Sequence, residues 1–396
     1  MNRAVPLFRK VDSVARITAL VFAGQLLILQ TMVWVRGGLT LPEYFFVGND
    51  FEYLYNGAGL FLSGRNPYLE PNFVPLPSAL YLPMLLHPMS FWMAAAVFRT
   101  ICLVGVVAAM FWLCREFRLS AVNTALVVLA ALTYGPLYIV LVGGNLDALM
   151  LTLLIFTCVR PVFLRGIFLG LSIATKFYSL LLIPVLALRR RWLETTIALG
   201  TVVLLLLPFA HYWPNALASL SHRTSVVRLD SNQSPAVLFI LLFGANRVWA
   251  WRACYFLLWG GTLALQAVAD VRKRHEEGER FASLSYIPWM AAAPVLVFTY
   301  TGTILLPLIV CLARTNQIRS LRWPERLTLA GILATGLYPA LYRPLLVSIF
   351  RGIGLPAERL VNSISLVVAP IGISAILIGS AWAAWKTREE NPLVET

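Results

Sequence analysis

One aspartate, Asp50, has surroundings in which a carboxylate can act as a general base. The chain has only 18 Asp and Glu residues among 396. Asp50 lies in the stretch Gly48 to Tyr55, at the start of an aromatic-rich amphipathic segment. Such a segment suits a helix that lies at a membrane surface and holds a carboxylate at the edge of a cavity, where it can accept a proton from a hydroxyl group. A solvated loop aspartate is the alternative interpretation.

Lys176 is one of only four lysines and lies between two apolar runs, in the stretch Gly170 to Tyr178. A charge in such surroundings is costly and usually has a function or a partner. An ammonium group there can hold a lipid phosphate as a point charge. The alternative is a lysine at a helix end whose side chain extends to the membrane surface.

A glycine-rich turn, Gly143 to Asp147, joins two other apolar runs. Asn145 or Asp147 in this turn can cap the helix that follows. A polar role facing a cavity is the second interpretation, and the spacing leaves both open.

The stretch His211 to Ser234 is a fourth candidate. Arg223 and Arg228 within it can bind an anionic group. Tyr212 and Trp213 can stack on a sugar or belong to the aromatic belt at the membrane surface.

The elements that must position these residues are membrane-spanning helices. Hydrophobic residues make up 59% of the chain, only 13% is charged, and the mean hydropathy is +0.76. One soluble core cannot hide so much apolar surface, whereas a bilayer can accommodate it in helices of roughly 20 residues. The predicted fold class is therefore all-α, in a polytopic integral membrane protein. Residues 1–396 are predicted to form a single transmembrane domain.

The formal net charge of +14 comes from basic clusters between the apolar runs, and such clusters mark cytoplasmic loops. This pattern predicts about twelve transmembrane helices with both termini in the cytoplasm. On this topology, residues 36–72 form the first outer loop and contain interfacial helices. The pattern leaves open whether residues 73–88 cross the membrane. The predicted spans are 15–35, 92–114, 119–142, 146–160, 163–175, 177–188, 192–210, 248–269, 284–300, 303–313, 327–343 and 361–385.

Several motifs are missing from the sequence. It contains no Walker A sequence, no HExxH, no GxSxG and no Rossmann fingerprint, so an ATP-driven pump is disfavoured. The five cysteines form no CxxC pair, and no metal site is indicated.

Four pieces in this order resemble glycosyltransferase family 87, in the GT-C class of polyprenyl-phosphate-dependent transferases. They are Asp50 to Tyr68, Phe73 to Met84, Gly143 to Leu149, and Gly166 to Trp192, and the loop from Tyr212 to Ser234 also fits. The resemblance covers residues 1–240 as a catalytic module, while 241–396 agree mainly in hydropathy as additional transmembrane helices. Gly144 stands where the family usually has glutamine, and Thr299 to Thr301 lie where it usually has a histidine.

The resemblance implies a membrane enzyme that moves a sugar, typically mannose, from a polyprenyl-phosphate donor to a glycolipid or glycan acceptor with inversion. Asp50 is expected to be the general base, and Lys176, Arg223 and Arg228 are expected to bind the donor phosphate. No metal, nucleotide or other cofactor and no nucleic acid is expected. The expected location is a bacterial inner (plasma) membrane, with the active site on the periplasmic or outer face. The expected substrate-binding residues are Asn49, Glu52, Tyr55, Tyr68, Asn145, Asp147, Tyr212, Trp213 and Gln233.

Two other functions remain open from the sequence. One is a transporter or flippase of a lipid-linked saccharide, which broken helices and a buried charge also suit. The other is a transferase that uses a different polyprenyl-phosphate sugar, such as arabinofuranose. The sequence names neither the acceptor nor the oligomeric state.

Overall fold

The computed structural model describes residues 13–35, 49–70, 73, 75–225, 235–272, 281–292, 299–314, 321–336 and 357–386. Within these ranges every regular element is helical. The α-helices are α1 (Val14–Val35), α2 (Asn49–Leu62), α3 (Tyr81–Leu86), α4 (Phe91–Glu116), α5 (Ala121–Leu132), α6 (Gly135–Gly143), α7 (Asp147–Phe156), α8 (Val162–Thr175), α9 (Leu182–Leu188), α10 (Trp192–Leu206), α11 (Trp213–Ser225), α12 (Ala236–Phe243), α13 (Val248–Arg272), α14 (Ala282–Ser285), α15 (Ile287–Ala292), α16 (Leu306–Ala313), α17 (Trp323–Gly336) and α18 (Ala357–Lys386). Short 3₁₀ segments are Pro67–Leu69, Pro77–Leu80, Phe177–Leu181, Leu207–Tyr212 and Thr299–Leu305.

Three helical stretches in the described ranges are long and apolar enough to cross a bilayer: Phe91–Glu116, Trp192–Ser219 and Val367–Trp385. α5 and α6 make a fourth if they are counted as one span, although they are bent by 56°. Proline in the first turn of α6 has no backbone N–H to donate, so an uninterrupted helix cannot continue through this point. The all-helical membrane architecture is confirmed.

The predicted count of about twelve spans is not confirmed. Several predicted spans correspond to apolar helices of 10–17 residues, including Asp147–Phe156, Val162–Thr175 and Phe177–Leu188. A full crossing needs roughly 20 residues. The segment Pro77–Leu86 is also short, and its ten residues rise only about 15 Å. The predicted span 284–300 begins as two short helices and continues into residues outside the described ranges.

α8 and α10 approach closely because two glycines on α8 face α10. A Cβ atom at Gly166 would lie 2.7 Å from Cβ of Ile197, and one at Gly170 would lie 2.5 Å from Cβ of Thr201. Small residues four apart allow two helix backbones to pack against each other in lipid, where packing replaces the hydrophobic driving force. This contact packs the part of α8 that precedes Lys176 against α10.

Largely buried ion pairs link neighbouring helices. Glu194, in the first turn of α10, pairs with Arg191 and with Arg165, whose Nε is 3.5 Å from the carboxylate. Arg189 pairs with Asp270 of α13 at 2.8 Å. These arginines belong to clusters that the sequence assigns to the cytoplasm, so part of the basic charge also links helices.

Candidate active site

Asp50 lies in the first turn of α2, and a neighbouring aromatic side chain anchors that helix. Phe51 is fully buried, and its ring centroid lies 4.8 Å from that of Phe98 and 6.2 Å from that of Phe91, both on α4. Adjacent side chains on a helix diverge by roughly 100°, so the Phe51 contact fixes the direction of Asp50. A carboxylate in the first turn is also stabilised by the positive end of the helix dipole.

The turn between α6 and α7 depends on Gly144. Its φ of +68° is in the left-handed region, which glycine adopts without the steric strain of other residues. A Cβ atom here would lie 2.6 Å from Cβ of Phe51. Glycine therefore permits both the turn conformation and the close approach of α2.

Asn145 connects Asp50 to the rest of the site. Its Nδ2 donates a hydrogen bond of 2.7 Å to Oδ2 of Asp50. Its Oδ1 accepts from Nζ of Lys176 at 3.1 Å and from the backbone N–H of Asp147 at 3.0 Å. The two donors to Oδ1 fix the orientation of the amide, so that its NH₂ group faces the carboxylate. Asn145 thus bonds both to the first turn of α7 and to the carboxylate of Asp50.

Asp147 and Lys176 form an ion pair next to Asn145. Nζ of Lys176 lies 2.8 Å from Oδ1 of Asp147, and the side chains are 16% and 0% exposed, respectively. The carboxylate is therefore inaccessible to solvent, and its charge is balanced by the ammonium group. The geometry gives Asp147 direct contact with Lys176, and contact of Asp147 with substrate stays a prediction.

The position of Lys176 follows from a helix break. It has extended backbone geometry, φ −149° and ψ 129°, between α8 and the 3₁₀ segment Phe177–Leu181. The break lets the side chain leave the helix axis and reach Asn145. Its ammonium group also lies 5.6 Å from the ring centroid of Tyr178, a geometry that favours a cation–π contact. Tyr178 is not among the site residues predicted from the sequence, where its only signal is its place two residues after Lys176.

Two expected substrate-binding tyrosines have structural hydrogen bonds. The hydroxyl of Tyr55 donates to the carbonyl of Met89 at 2.7 Å. The hydroxyl of Tyr68 donates to the carbonyl of Pro75 at 2.9 Å. Burial raises the pKa of Tyr68, so this hydroxyl stays a donor. Both side chains hold the segment between α2 and α4, and direct contact with substrate remains a prediction.

The remaining expected residues fall into two groups. Glu52 is exposed on α2, Tyr212 has its ring centroid 5.9 Å from that of Phe61, and Trp213 is partly buried at the start of α11. Within the described part of the chain, none of these three forms a hydrogen bond or ion pair with Asp50 or Asn145. The side chains of Asn49 and Arg223 lie outside the described part of the chain, as do the whole residues Arg228 and Gln233.

The site thus joins four polar side chains from three places in the sequence: Asp50, Asn145, Asp147 and Lys176. Among the residues that the structure describes, no three His, Cys, Asp or Glu side chains are grouped so that they could hold a metal ion. The chemistry available is proton transfer at Asp50 beside an oriented amide and an ammonium group.

A comparison with curated proteins finds no match. The family model of glycosyltransferase family 87 matches residues 75–287. The matched range includes Asn145, Asp147 and Lys176 and begins after Asp50, so the place of Asp50 in the site rests on the geometry above. Because the match covers more than half of the chain, this membrane protein belongs to glycosyltransferase family 87 and is a transferase.

Proposed function

We propose that this enzyme transfers a sugar from a polyprenyl-phosphate donor to a hydroxyl group of a glycolipid or glycan acceptor, with Asp50 as the general base. The observation that carries the proposal is the hydrogen bond of 2.7 Å from Asn145 to Asp50. Asp50 is partly exposed at the start of α2. A carboxylate that is oriented and reachable meets the geometric requirement for taking a proton from an acceptor.

The proposed reaction is a single displacement at the anomeric carbon. The acceptor oxygen forms a bond to that carbon while its proton passes to Asp50. The bond from the anomeric carbon to the phosphate oxygen breaks, and its electron pair stays on the phosphate. Attack opposite the leaving group inverts the configuration, and the lipid phosphate leaves as a stabilised anion without a strong acid.

We assign different roles to the two charged partners of Asn145. Asp147 holds Lys176 in place, because its carboxylate is fully buried against the ammonium group. Lys176 orients Asn145 by donating to its Oδ1, and we retain Lys176 as a proposed ligand of the donor phosphate. Such preorganised charge stabilises an anion that develops in the transition state. Arg223 and Arg228 are retained as proposed ligands of the donor phosphate.

Mannose is the proposed sugar, and the outer or periplasmic face of a bacterial inner membrane is the proposed location of the site. Membership of a transferase family favours this function over a transporter or flippase. The lack of nucleotide-binding motifs in the sequence agrees with a donor that is carried by a lipid. Arabinofuranose remains the second candidate sugar.

Purified enzyme in lipid nanodiscs provides the test. It would be incubated with polyprenyl-phosphate mannose, arabinofuranose or glucose and a panel of membrane glycolipid acceptors, and products would be examined by NMR. We expect a new glycosidic bond from the mannosyl donor, with the anomeric configuration opposite to that of the donor. Retained configuration would refute the single displacement, and absence of transfer from every donor would refute the proposed function.

A further inference from the structure

A polar cavity lies on a different side of α2 from Asp50. It is open to solvent and has a volume of about 460 Å³, within the range of about 300–1,000 Å³ typical of ligand pockets. α2, the turn that follows it and the segment after α3 form the walls. The lining includes Asn56, Gly59, Arg65, Leu69, Glu70 and His87.

The lining combines hydrogen-bond donors and acceptors with an apolar surface. Arg65 supplies only donors, Glu70 only acceptors, and Asn56 and His87 supply both. The single hydrogen bond recorded between lining side chains is long, 3.4 Å from Asn56 Nδ2 to Glu70 Oε2. Leu69 is 58% exposed. Neutral sugars need this mixture, because their hydroxyl groups both donate and accept and their ring faces are apolar.

Glu70 argues against an anionic ligand for this cavity. A phosphate would be repelled by the carboxylate, whereas the hydroxyl groups of a polyol can donate to Glu70 and accept from Arg65. Hydrogen bonds in which one partner is charged are roughly twice as strong as neutral ones. Glu70 in the lining therefore favours a polyol over a phosphate.

Two parts of the cavity wall, the ring of His87 and the turn at Asn66, are held in place before any ligand binds. The ring of His87 stacks on that of Tyr55 with centroids 4.8 Å apart and planes inclined by 21°. Gly59 makes room for this ring, since a Cβ atom there would lie 2.6 Å from Nε2 of His87. Asn66 caps the 3₁₀ segment Pro67–Leu69 by accepting from the backbone N–H of Tyr68 at 3.0 Å. Preorganised walls lower the entropy lost on binding.

The cavity is separate from the general base. Asn56 and Gly59 follow Asp50 by six and nine residues, which corresponds to about 9 and 14 Å along the helix axis. Asn56 is exposed, while Leu54 and Ala58 on the inner side of α2 are buried. The sugar unit that occupies this cavity would therefore not place its own hydroxyl groups on Asp50.

We propose that the cavity lined by Asn56, Arg65, Glu70 and His87 is a second saccharide-binding site, which holds a neutral sugar unit of a glycan away from the reacting hydroxyl group. The choice of a glycan over another polyol rests on the proposed function. Binding remote from the reaction centre positions a substrate and contributes to catalysis of extended substrates.

Saturation-transfer NMR on the protein in nanodiscs tests the proposal with methyl α-mannoside, a linear mannotriose and an arabinofuranose trisaccharide. We expect at least one trisaccharide to bind wild type. Arg65→Ala and Glu70→Gln should each weaken that binding about tenfold or more, since each removes a charge-assisted hydrogen bond. Arg160→Ala, an exposed arginine elsewhere, is the matched control and should bind like wild type.

Asp50→Asn separates the two proposals. We expect it to bind the trisaccharide like wild type, and loss of binding in this variant would place the saccharide at the Asp50 site and overturn the second site. Wild-type affinity in both Arg65→Ala and Glu70→Gln, or no saccharide binding by wild type, would also overturn it. Neither result depends on transfer activity.

Thermal unfolding of each variant checks that it folds. His87→Gln provides a further variant of the same cavity, with the same expected loss of saccharide binding.

Discussion

The side-chain amide of Asn145 donates a hydrogen bond of 2.7 Å to Oδ2 of Asp50, across 95 residues of sequence. The same amide accepts from Lys176 at 3.1 Å. Asn145 therefore links the carboxylate on α2 to the ammonium group at the break between α8 and α9. The orientation of Asp50 depends on this link, and the following predictions test its parts.

Replacing Asn145 should lower the rate of transfer without abolishing donor binding. In Asn145→Ala, Asp50 loses a hydrogen bond to a charged group, and such bonds contribute about 1.5–3 kcal/mol. We expect kcat to fall about tenfold to a hundredfold, since each 1.36 kcal/mol is a factor of ten in rate. Initial rates over a range of donor concentrations would give kcat and KM separately.

Asn215→Ala serves as a control for the Asn145 experiment, because Asn215 is an exposed asparagine on α11. Its kinetics should match those of wild type. A wild-type kcat in Asn145→Ala would show that the hydrogen bond to Asp50 has no part in catalysis.

The ion pair of Lys176 and Asp147 should appear as a coupling in stability. Lys176→Met leaves the fully buried Asp147 carboxylate without its counter-charge, and breaking a buried pair in this way costs about 3–5 kcal/mol. The double variant Lys176→Met/Asp147→Asn removes both charges and should recover much of that loss. Chemical or thermal unfolding in detergent measures both effects.

Activity should respond differently from stability in the same pair of variants. The double variant should remain impaired in transfer, because the ammonium group that orients Asn145 is still absent. Equal destabilisation of the single and double variants would contradict the ion pair, and full activity of the double variant would contradict the role of Lys176.

Gly144→Ala tests the turn between α6 and α7. Alanine at φ +68° is strained by roughly 1–2 kcal/mol, and its Cβ atom would lie 2.6 Å from Cβ of Phe51. The turn must shift, and the shift should lower both stability and kcat by displacing Asn145 from Asp50. Unfolding and initial-rate measurements on the same preparation record the two effects.

Gly200→Ala on α10 is the matched control for Gly144→Ala. A Cβ atom at Gly200 would meet nothing within 4 Å, and alanine favours a helix over glycine by roughly 0.5–1 kcal/mol. We expect Gly200→Ala to be as stable as wild type or more so, with unchanged kcat. Gly144→Ala with wild-type stability and rate would contradict the packing argument.

The sequence predicted the type of element around Asp50 and the family. The amphipathic pattern after Gly48 indicated a helix, and α2 covers Asn49–Leu62 with Phe51 and Leu54 buried and Glu52 exposed. Apolar runs likewise predicted α1, α4 and α8 to within a few residues. Hydrophobic periodicity and length are local properties of the chain, and for this reason they can be read without a structure.

The contacts within the site could not be predicted in the same way. Asn145 was identified as a cap or a cavity residue, but its bond to Asp50 depends on how α2 packs beside the turn at Gly144. Asp147 was expected to contact substrate, yet its carboxylate is buried against Lys176. These pairings are set by tertiary packing, and a single sequence carries no record of which distant residues meet.

The predicted count of about twelve spans is not confirmed in the described part of the chain, and the reason is physical. Hydropathy measures how apolar a run is, whereas crossing a bilayer also requires an unbroken helix of roughly 20 residues. The break at Lys176 divides one apolar region into α8 and the short helices after it. Polar side chains at such a break lie inside the protein, where irregular backbone is tolerated.

The central claim is that Asp50 is the general base, and single-turnover transfer by Asp50→Asn tests it most directly. Asparagine keeps the shape of the side chain and cannot accept the proton. With enzyme in excess over polyprenyl-phosphate mannose, we expect the transfer rate to fall by about a hundredfold to ten-thousandfold, while donor binding matches that of wild type. Transfer by Asp50→Asn at the wild-type rate would contradict the account.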